Sequence, residues 1–155
     1  VNLAVLDLSD HQAVIIDQVQ CTQLMRMSAP IGGKLPMHAS GAGKAFLANL
    51  NDKQVTELLH RKGLHYYTPK TLMSPQSLKD NLALVRKTGY SFDDEEHALG
   101  LRCVAACIYD EHHEPFAAIS ISGPISRITD DRVTELGALA IKAAKEITRE
   151  YGGGR

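Results

Sequence analysis

Two strand-like runs near the C-terminal end, Leu101–Tyr109 and Phe116–Ser122, are separated only by a short polar stretch that includes Glu111-His112-His113-Glu114. A connection of that length joins antiparallel neighbours, because parallel strands need a crossover of about a dozen residues or more. The start of the chain repeats the arrangement. Leu3–Leu8 leads through a Ser9-Asp10 turn into Gln12–Val19, a second predicted hairpin. Thr22–Met27 reads as a third strand there, with Leu24 facing one way and Met25 and Met27 the other. Tyr90–Asp94 supplies the sixth strand.

The middle of the chain changes period. Pro30, Gly32, Gly33 and Pro36 make Ala29–Pro36 a loop. Ser40 then caps a helix whose apolar face begins at Phe46 and Leu47. A second helix starts at Asn51, places Val55, Leu58 and Leu59 at i, i+3 and i+4, and ends at Gly63. Ser74-Pro75 opens a third, with Leu78, Leu82 and Val85 on its buried face and Gly89 as its stop. Thr129-Asp130-Asp131 begins a long last helix lined by Val133, Leu136, Ala140, Ala144 and Ile147, its acidic first turn matching the helix dipole. The expected architecture is α+β, a mostly antiparallel six-stranded sheet with helices packed on one face. The other face is then expected to take a ligand or a second copy.

With 155 residues, 44% of them hydrophobic, the chain has the length of one domain and enough apolar material for a core without disulfide staples. Its net charge of −1, with no Trp, argues against a free-standing nucleic-acid binder, which needs Lys and Arg against phosphates and aromatics for stacking. The longest apolar runs fall far short of the roughly 20 residues of a membrane span. Three cysteines, Cys21, Cys103 and Cys107, fit a reduced cytoplasmic setting better than a disulfide framework. The chain begins with Val1 and ends Gly152-Gly153-Gly154-Arg155, so a piece of a longer protein with a flexible tail at 153–155 is expected.

Ser40-Gly41-Ala42-Gly43-Lys44 is not a P-loop: His38 stands where the first glycine belongs, and Ala45 follows the lysine. Small residues at a helix start nevertheless leave backbone N–H groups facing outward, which suits a carboxylate as well as it suits an ordinary capped helix. Ser120 and Ser122 share one strand face, and buried hydroxyls need partners, either backbone, water or a polar ligand. Cys103 and Cys107 also share a face; about 13 Å apart along a strand, they cannot form a disulfide with each other. Small core residues are their ordinary role, and Cys103 facing the serine layer would line a cavity. In Asp93-Asp94-Glu95-Glu96-His97, alternation pairs Asp93 with Glu95 and Asp94 with Glu96, so one or two carboxylates at most turn inward. Solvated acids at a strand end are the plainer reading. No G-x-S-x-G motif occurs, and His11, His60, His65, His112 and His113 scatter over predicted loops and helix surfaces, so nothing signals nucleophilic catalysis.

The order of these blocks, from the first hairpin through Ser40-Gly41-Ala42-Gly43-Lys44-Ala45, Gly89-Tyr90-Ser91-Phe92-Asp93-Asp94-Glu95-Glu96, Gly100-Leu101-Arg102-Cys103 and Ala117-Ala118-Ile119-Ser120-Ile121-Ser122-Gly123-Pro124, resembles the effector-binding domain of IclR-type bacterial transcription regulators. The resemblance runs from Val1 to Gly152, and within the family it is similar to repressors of small-acid and sugar-acid catabolism. It implies a curved, GAF- or profilin-like domain over residues 1–152 that takes a small carboxylate effector such as a keto or sugar acid. It also implies an N-terminal winged helix-turn-helix domain, absent from this chain, as the only route to DNA. Carried over residue by residue, the ligand contacts fall on Ser40, Gly41, Ala42, Asp93, Cys103, Ser120 and Ser122. An acid in such a site accepts a hydrogen bond from a ligand hydroxyl or orients another side chain. The family implies self-association as dimer or tetramer, no cofactor and no catalysis. Two alternatives stay open: a small-acid hydrolase or lyase using Asp93, His97 and Cys103, with zinc on His97 and Cys103 as a variant, and a ligand-free dimerisation module.

Overall fold

In the computed structural model, residues 1–7, 9–23 and 29–152 are described. Their elements run β1 (Asn2–Asp7), β2 (Gln12–Gln18), β3 (Lys34–Leu35), α1 (Gly41–Leu47), α2 (Asp52–Lys62), α3 (Pro75–Thr88), β4 (Ser91–Asp94), β5 (Leu101–Tyr109), β6 (Pro115–Pro124), a short 3₁₀ turn (Asp130–Arg132) and α4 (Val133–Glu150). The strands form one sheet in the order β3-β2-β1-β6-β5-β4, with every neighbouring pair antiparallel. The two predicted hairpins, β1–β2 and β5–β6, sit side by side because β1 pairs with β6.

One strand differs from expectation. Of the predicted strand Thr22–Met27, residues 24–27 lie outside the described residues, and Thr22 and Gln23 are in a bend. The described strand beside β2 is β3, Lys34–Leu35, inside the stretch Ala29–Pro36 that was expected to be loop throughout. Gly32, at a φ of 85°, turns the chain back so that Gly33 O accepts from Ile15 N and Lys34 pairs with Val14.

Helices cover both faces, not one. On the first face, Val104, Ala106 and Ile108 of β5 and Ala117 of β6 pack against Leu136, Ala140 and Ala144 of α4. On the second, Ala4, Ala13 and Ala118 meet Ala42, Phe46 and Leu47 of α1, backed by Val55 and Leu58 of α2 and Leu78 and Leu82 of α3. The cause is legible in β5, whose residues are apolar at both parities, the pattern of a strand buried on both sides. Its branched side chains face α4, and its smaller Cys103, Ala105 and Cys107 face α1, which lets α1 lie close.

Helix α1 is buried along its whole length. A side chain at Gly43 would place Cβ 2.5 Å from the backbone of Pro36 and Met37, so this crossing is open to glycine alone. The one charge in the helix, Lys44, is 0% exposed. Its Nζ lies 2.8 and 3.0 Å from the two carboxylate oxygens of Glu96 and donates to Phe92 O at 2.5 Å. Glu96, 5% exposed, also accepts from Asp94 N at 3.0 Å. One ammonium therefore ties α1 both to β4, at Phe92, and to the turn that follows it, at Glu96. A buried pair carries a large desolvation cost, so removing one partner is far worse than removing both. Lys44→Met is expected to lower unfolding free energy in urea titrations by about 3–5 kcal/mol, and Glu96→Leu added to it to restore part of that loss. Equal destabilisation of the single and double variants would contradict the assignment.

Candidate functional site

The first turn of α1 is fixed by Ser40, whose Oγ accepts from Gly43 N at 3.0 Å and donates to Pro36 O at 2.6 Å. The N–H groups of Gly41 and Ala42 are left without intrahelical acceptors, as the start of any helix requires. Gly41 sits directly on β5: a Cβ there would meet Cys103 Sγ at 2.7 Å. Ser91, which the sequence did not single out, pins the same turn by donating from Oγ to Gly41 O at 2.5 Å.

Under this turn lies a row of cross-strand partners. Asp93 of β4 is opposite Cys103 of β5, and Cys103 is opposite Ser122 of β6. The next row runs Ser91, Ala105, Ser120 and Asn2. Ser40, Gly41, Ala42, Asp93, Cys103 and Ser120 are buried and Ser122 is half-buried. Gly41 meets Cys103, Asp93 and Ser122 flank Cys103 on the neighbouring strands with Ser120 one row away, and Ala42 packs into the apolar core beside Phe46.

Asp93 is not a solvated strand-end acid; it is 2% exposed. The alternation expected along Asp93–Glu96 breaks because Glu95 adopts a φ of 56° and ends the strand. Asp93 and Glu96 thereby both turn inward, and Asp93 Oδ1 accepts from Glu96 N at 2.8 Å. Thr68 and Thr71 hold this turn from outside by donating to Glu95 O and Glu96 O, both at 2.6 Å.

Burial pushes the Asp93 carboxyl up to about 7, and the adjacent Glu96 carboxylate adds to the rise. The backbone N–H groups of Glu96 and His97 and the Lys44 ammonium oppose it. Burial, reinforced by Asp93, also pushes the Cys103 thiol up to about 11 against the pull of the Ser122 and Ser120 hydroxyls. A thiol so held is a hydrogen-bonding group and not a nucleophile at neutral pH. His97 packs edge-on against Tyr67, ring centroids 5.1 Å apart, and Tyr67 in turn meets His38 at 5.9 Å. Burial lowers the pKa of both imidazoles. Among the described residues, no three His, Cys, Asp or Glu side chains converge as a metal-binding group. The arrangement offers backbone donors, a carboxyl that holds a proton near neutrality, a thiol and two hydroxyls around a buried seam.

Sequence reasoning missed Lys44 and Glu96 as a buried pair. The available signal was a lone lysine inside an otherwise small and apolar helix, Gly41-Ala42-Gly43-Lys44-Ala45-Phe46-Leu47.

Folding raises the Asp93 pKa from 3.8 to about 7, so between roughly pH 4 and pH 7 the native state holds a proton that the unfolded chain has released. Its contribution to stability is expected to fall as pH rises through that window and to level off above it. Asp93→Asn, neutral throughout, should flatten the decline in denaturation midpoints between pH 5 and pH 8; an unchanged slope would contradict the assignment.

The family model described as "Bacterial transcriptional regulator IclR C-terminal" matches residues 1–149. The acetate operon repressor of Salmonella typhimurium is 82% identical over the whole chain, and the transcriptional repressor IclR of Escherichia coli is 80% identical. The chain spans 57% of the length of each. The crystal structure of Thermotoga maritima IclR matches with a TM-score of 0.90 at 33% identity, covering 97% of this chain and 60% of that one. No helix among the described residues is long and apolar enough to cross a membrane. The chain thus belongs to the IclR family, by its C-terminal domain, a family of transcriptional regulators and not of enzymes.

Proposed function

We propose that residues 1–152 form the sensing domain of a transcriptional repressor and that the seam between α1 and β4–β6 holds a small carboxylate effector. The observation that carries this reading is the row Asp93–Cys103–Ser122, buried at Asp93 and Cys103 and half-buried at Ser122, beside the capped first turn of α1. Donors and acceptors are grouped there where a purely structural core would use apolar residues. The ligand carboxylate faces the N–H groups of Gly41 and Ala42. The hydroxyls of Ser120 and Ser122 and the Cys103 thiol bind its oxygens, and Asp93 accepts from a hydroxyl or hydrated carbonyl. That function asks for a keto or sugar acid, and the name of one relative, the acetate operon repressor, is in keeping with control of small-acid metabolism.

DNA contact is assigned to a winged helix-turn-helix domain outside this chain, in keeping with the net charge of −1. Effector binding is transmitted through the arrangement of self-associated subunits, and the effector and DNA affinities are coupled reciprocally by about 1–3 kcal/mol.

A thermal-shift screen of two- to four-carbon keto and hydroxy acids tests the reading. An effector at about 100 times its Kd is expected to add roughly 2.7 kcal/mol of stability. That gain should be lost in Ser122→Ala and Asp93→Ala. Failure of every acid to stabilise the chain, or an undiminished response in both variants, would overturn the site.

A further inference from the structure

Strand β4 pairs with β5 only as far as Ser91 opposite Ala105, so the β5 edge at Ala106–Tyr109 that faces away from β6 has no strand beside it among the described residues. A groove of about 420 Å³ fills that gap, walled by the C-terminal end of α3 and the second half of α4. Arg86 and Lys87 line it from α3, Lys145 from α4 and His113 from the β5–β6 turn, and no Asp or Glu among the described residues lines it. Among the described residues, none of Arg86, Lys87 and Lys145 is in an ion pair. The Arg86 guanidinium is already oriented, donating from Nε to Ala48 O at 2.7 Å and from Nη2 to Leu50 O at 2.9 Å. Those acceptors are carbonyls at the C-terminal end of α1, whose partial negative charge offsets only part of the guanidinium charge.

We propose that this groove binds a small multivalent anion, a phosphate compound or a polycarboxylate, at a site separate from the α1–β4–β6 seam. Like charges gathered without counter-charges repel one another, and a single ligand of two or more negative charges relieves several of these repulsions at once. A planar guanidinium beside flexible ammonium groups is suited to the oxygens of phosphate or carboxylate. The groove is also joined to α1. Ala48 and Leu50, which hold Arg86, follow that helix directly. Asn49 between them donates to Cys107 Sγ at 3.4 Å and accepts from Tyr109 Oη at 2.8 Å. An anion in the groove therefore acts on the C-terminal turn of the helix whose first turn faces the seam. The inference stands on the groove's own residues and does not require an effector in the seam.

Isothermal titration calorimetry with pyrophosphate and with citrate, at fixed ionic strength, tests it on the wild-type chain and three variants. Saturable binding of at least one anion is expected, weakened roughly tenfold or more in Lys87→Gln/Lys145→Gln. Binding should be unchanged in Ser122→Ala, and also in Lys53→Gln/Arg61→Gln, which removes the same charge from α2. Pyrophosphate alone would identify a phosphate ligand, citrate alone a polycarboxylate, and both a general multivalent anion site. The proposal is overturned if neither anion saturates, if Lys87→Gln/Lys145→Gln binds as wild type, if the α2 variant loses binding equally, or if Ser122→Ala abolishes it.

Discussion

The ion pair between Lys44 and Glu96 is the contact on which the geometry of this domain turns. Lys44 is the one charge in a helix buried on every side, and among the described residues its ion-pair partner, Glu96, lies beyond the end of β4. To satisfy that ammonium the chain must bring the turn after β4 inward, and doing so buries Asp93 beside it. The raised pKa of Asp93 is thus a by-product of how α1 is held. The left-handed conformation of Glu95 and the threonine hydroxyls on the backbone of Glu95 and Glu96 serve the same end. A short helix could not keep its place by propensity alone; packing and this pair decide where it lies.

Held in this way, α1 has two ends with different neighbours. Its first turn rests on Cys103, with Ser40 as cap and Ser91 as pin. The residues that follow it are gripped by Arg86 and by the Asn49–Tyr109 hydrogen bond. Rigid elements with packed contacts at both ends are the means by which one site biases another, provided that two arrangements of the element exist. The proposed effector seam and the proposed anion groove are joined through this one helix, while α4, on the opposite face of the sheet, touches the groove alone.

Much of this was legible in the residues. The six-stranded antiparallel sheet followed from two short-looped hairpins, and α2, α3 and β5 followed from their caps and periodicity, which are local signals. Tertiary signals were harder. The apolar residues at both parities of β5 carry the signal for helices on both faces, which the expectation of one covered face passed over, and the alternation rule, applied beyond Asp94, hid that Asp93 and Glu96 turn inward together. That rule holds only while the backbone stays extended, and Glu95 does not. β3 escaped because two residues carry no periodicity. Lys44 escaped because nothing near it in sequence reveals a partner 52 residues away. Two spacings, Ser120 with Ser122 and Ser40 with the glycines, report a shared strand face and a helix start directly, which is why those residues could be singled out from sequence. Asp93 needed the family resemblance to be included.

Backbone amide shift mapping of the isotope-labelled chain, titrated with a small keto or hydroxy acid, addresses the seam most directly. The account predicts saturable shifts concentrated at Gly41, Ala42 and Gly43 and at Asp93, Cys103, Ser120 and Ser122, with the Gly41 and Ala42 amides moving downfield as they take up a carboxylate. Saturable shifts confined to other parts of the fold, or no shift at these seven positions with any such acid, would contradict it.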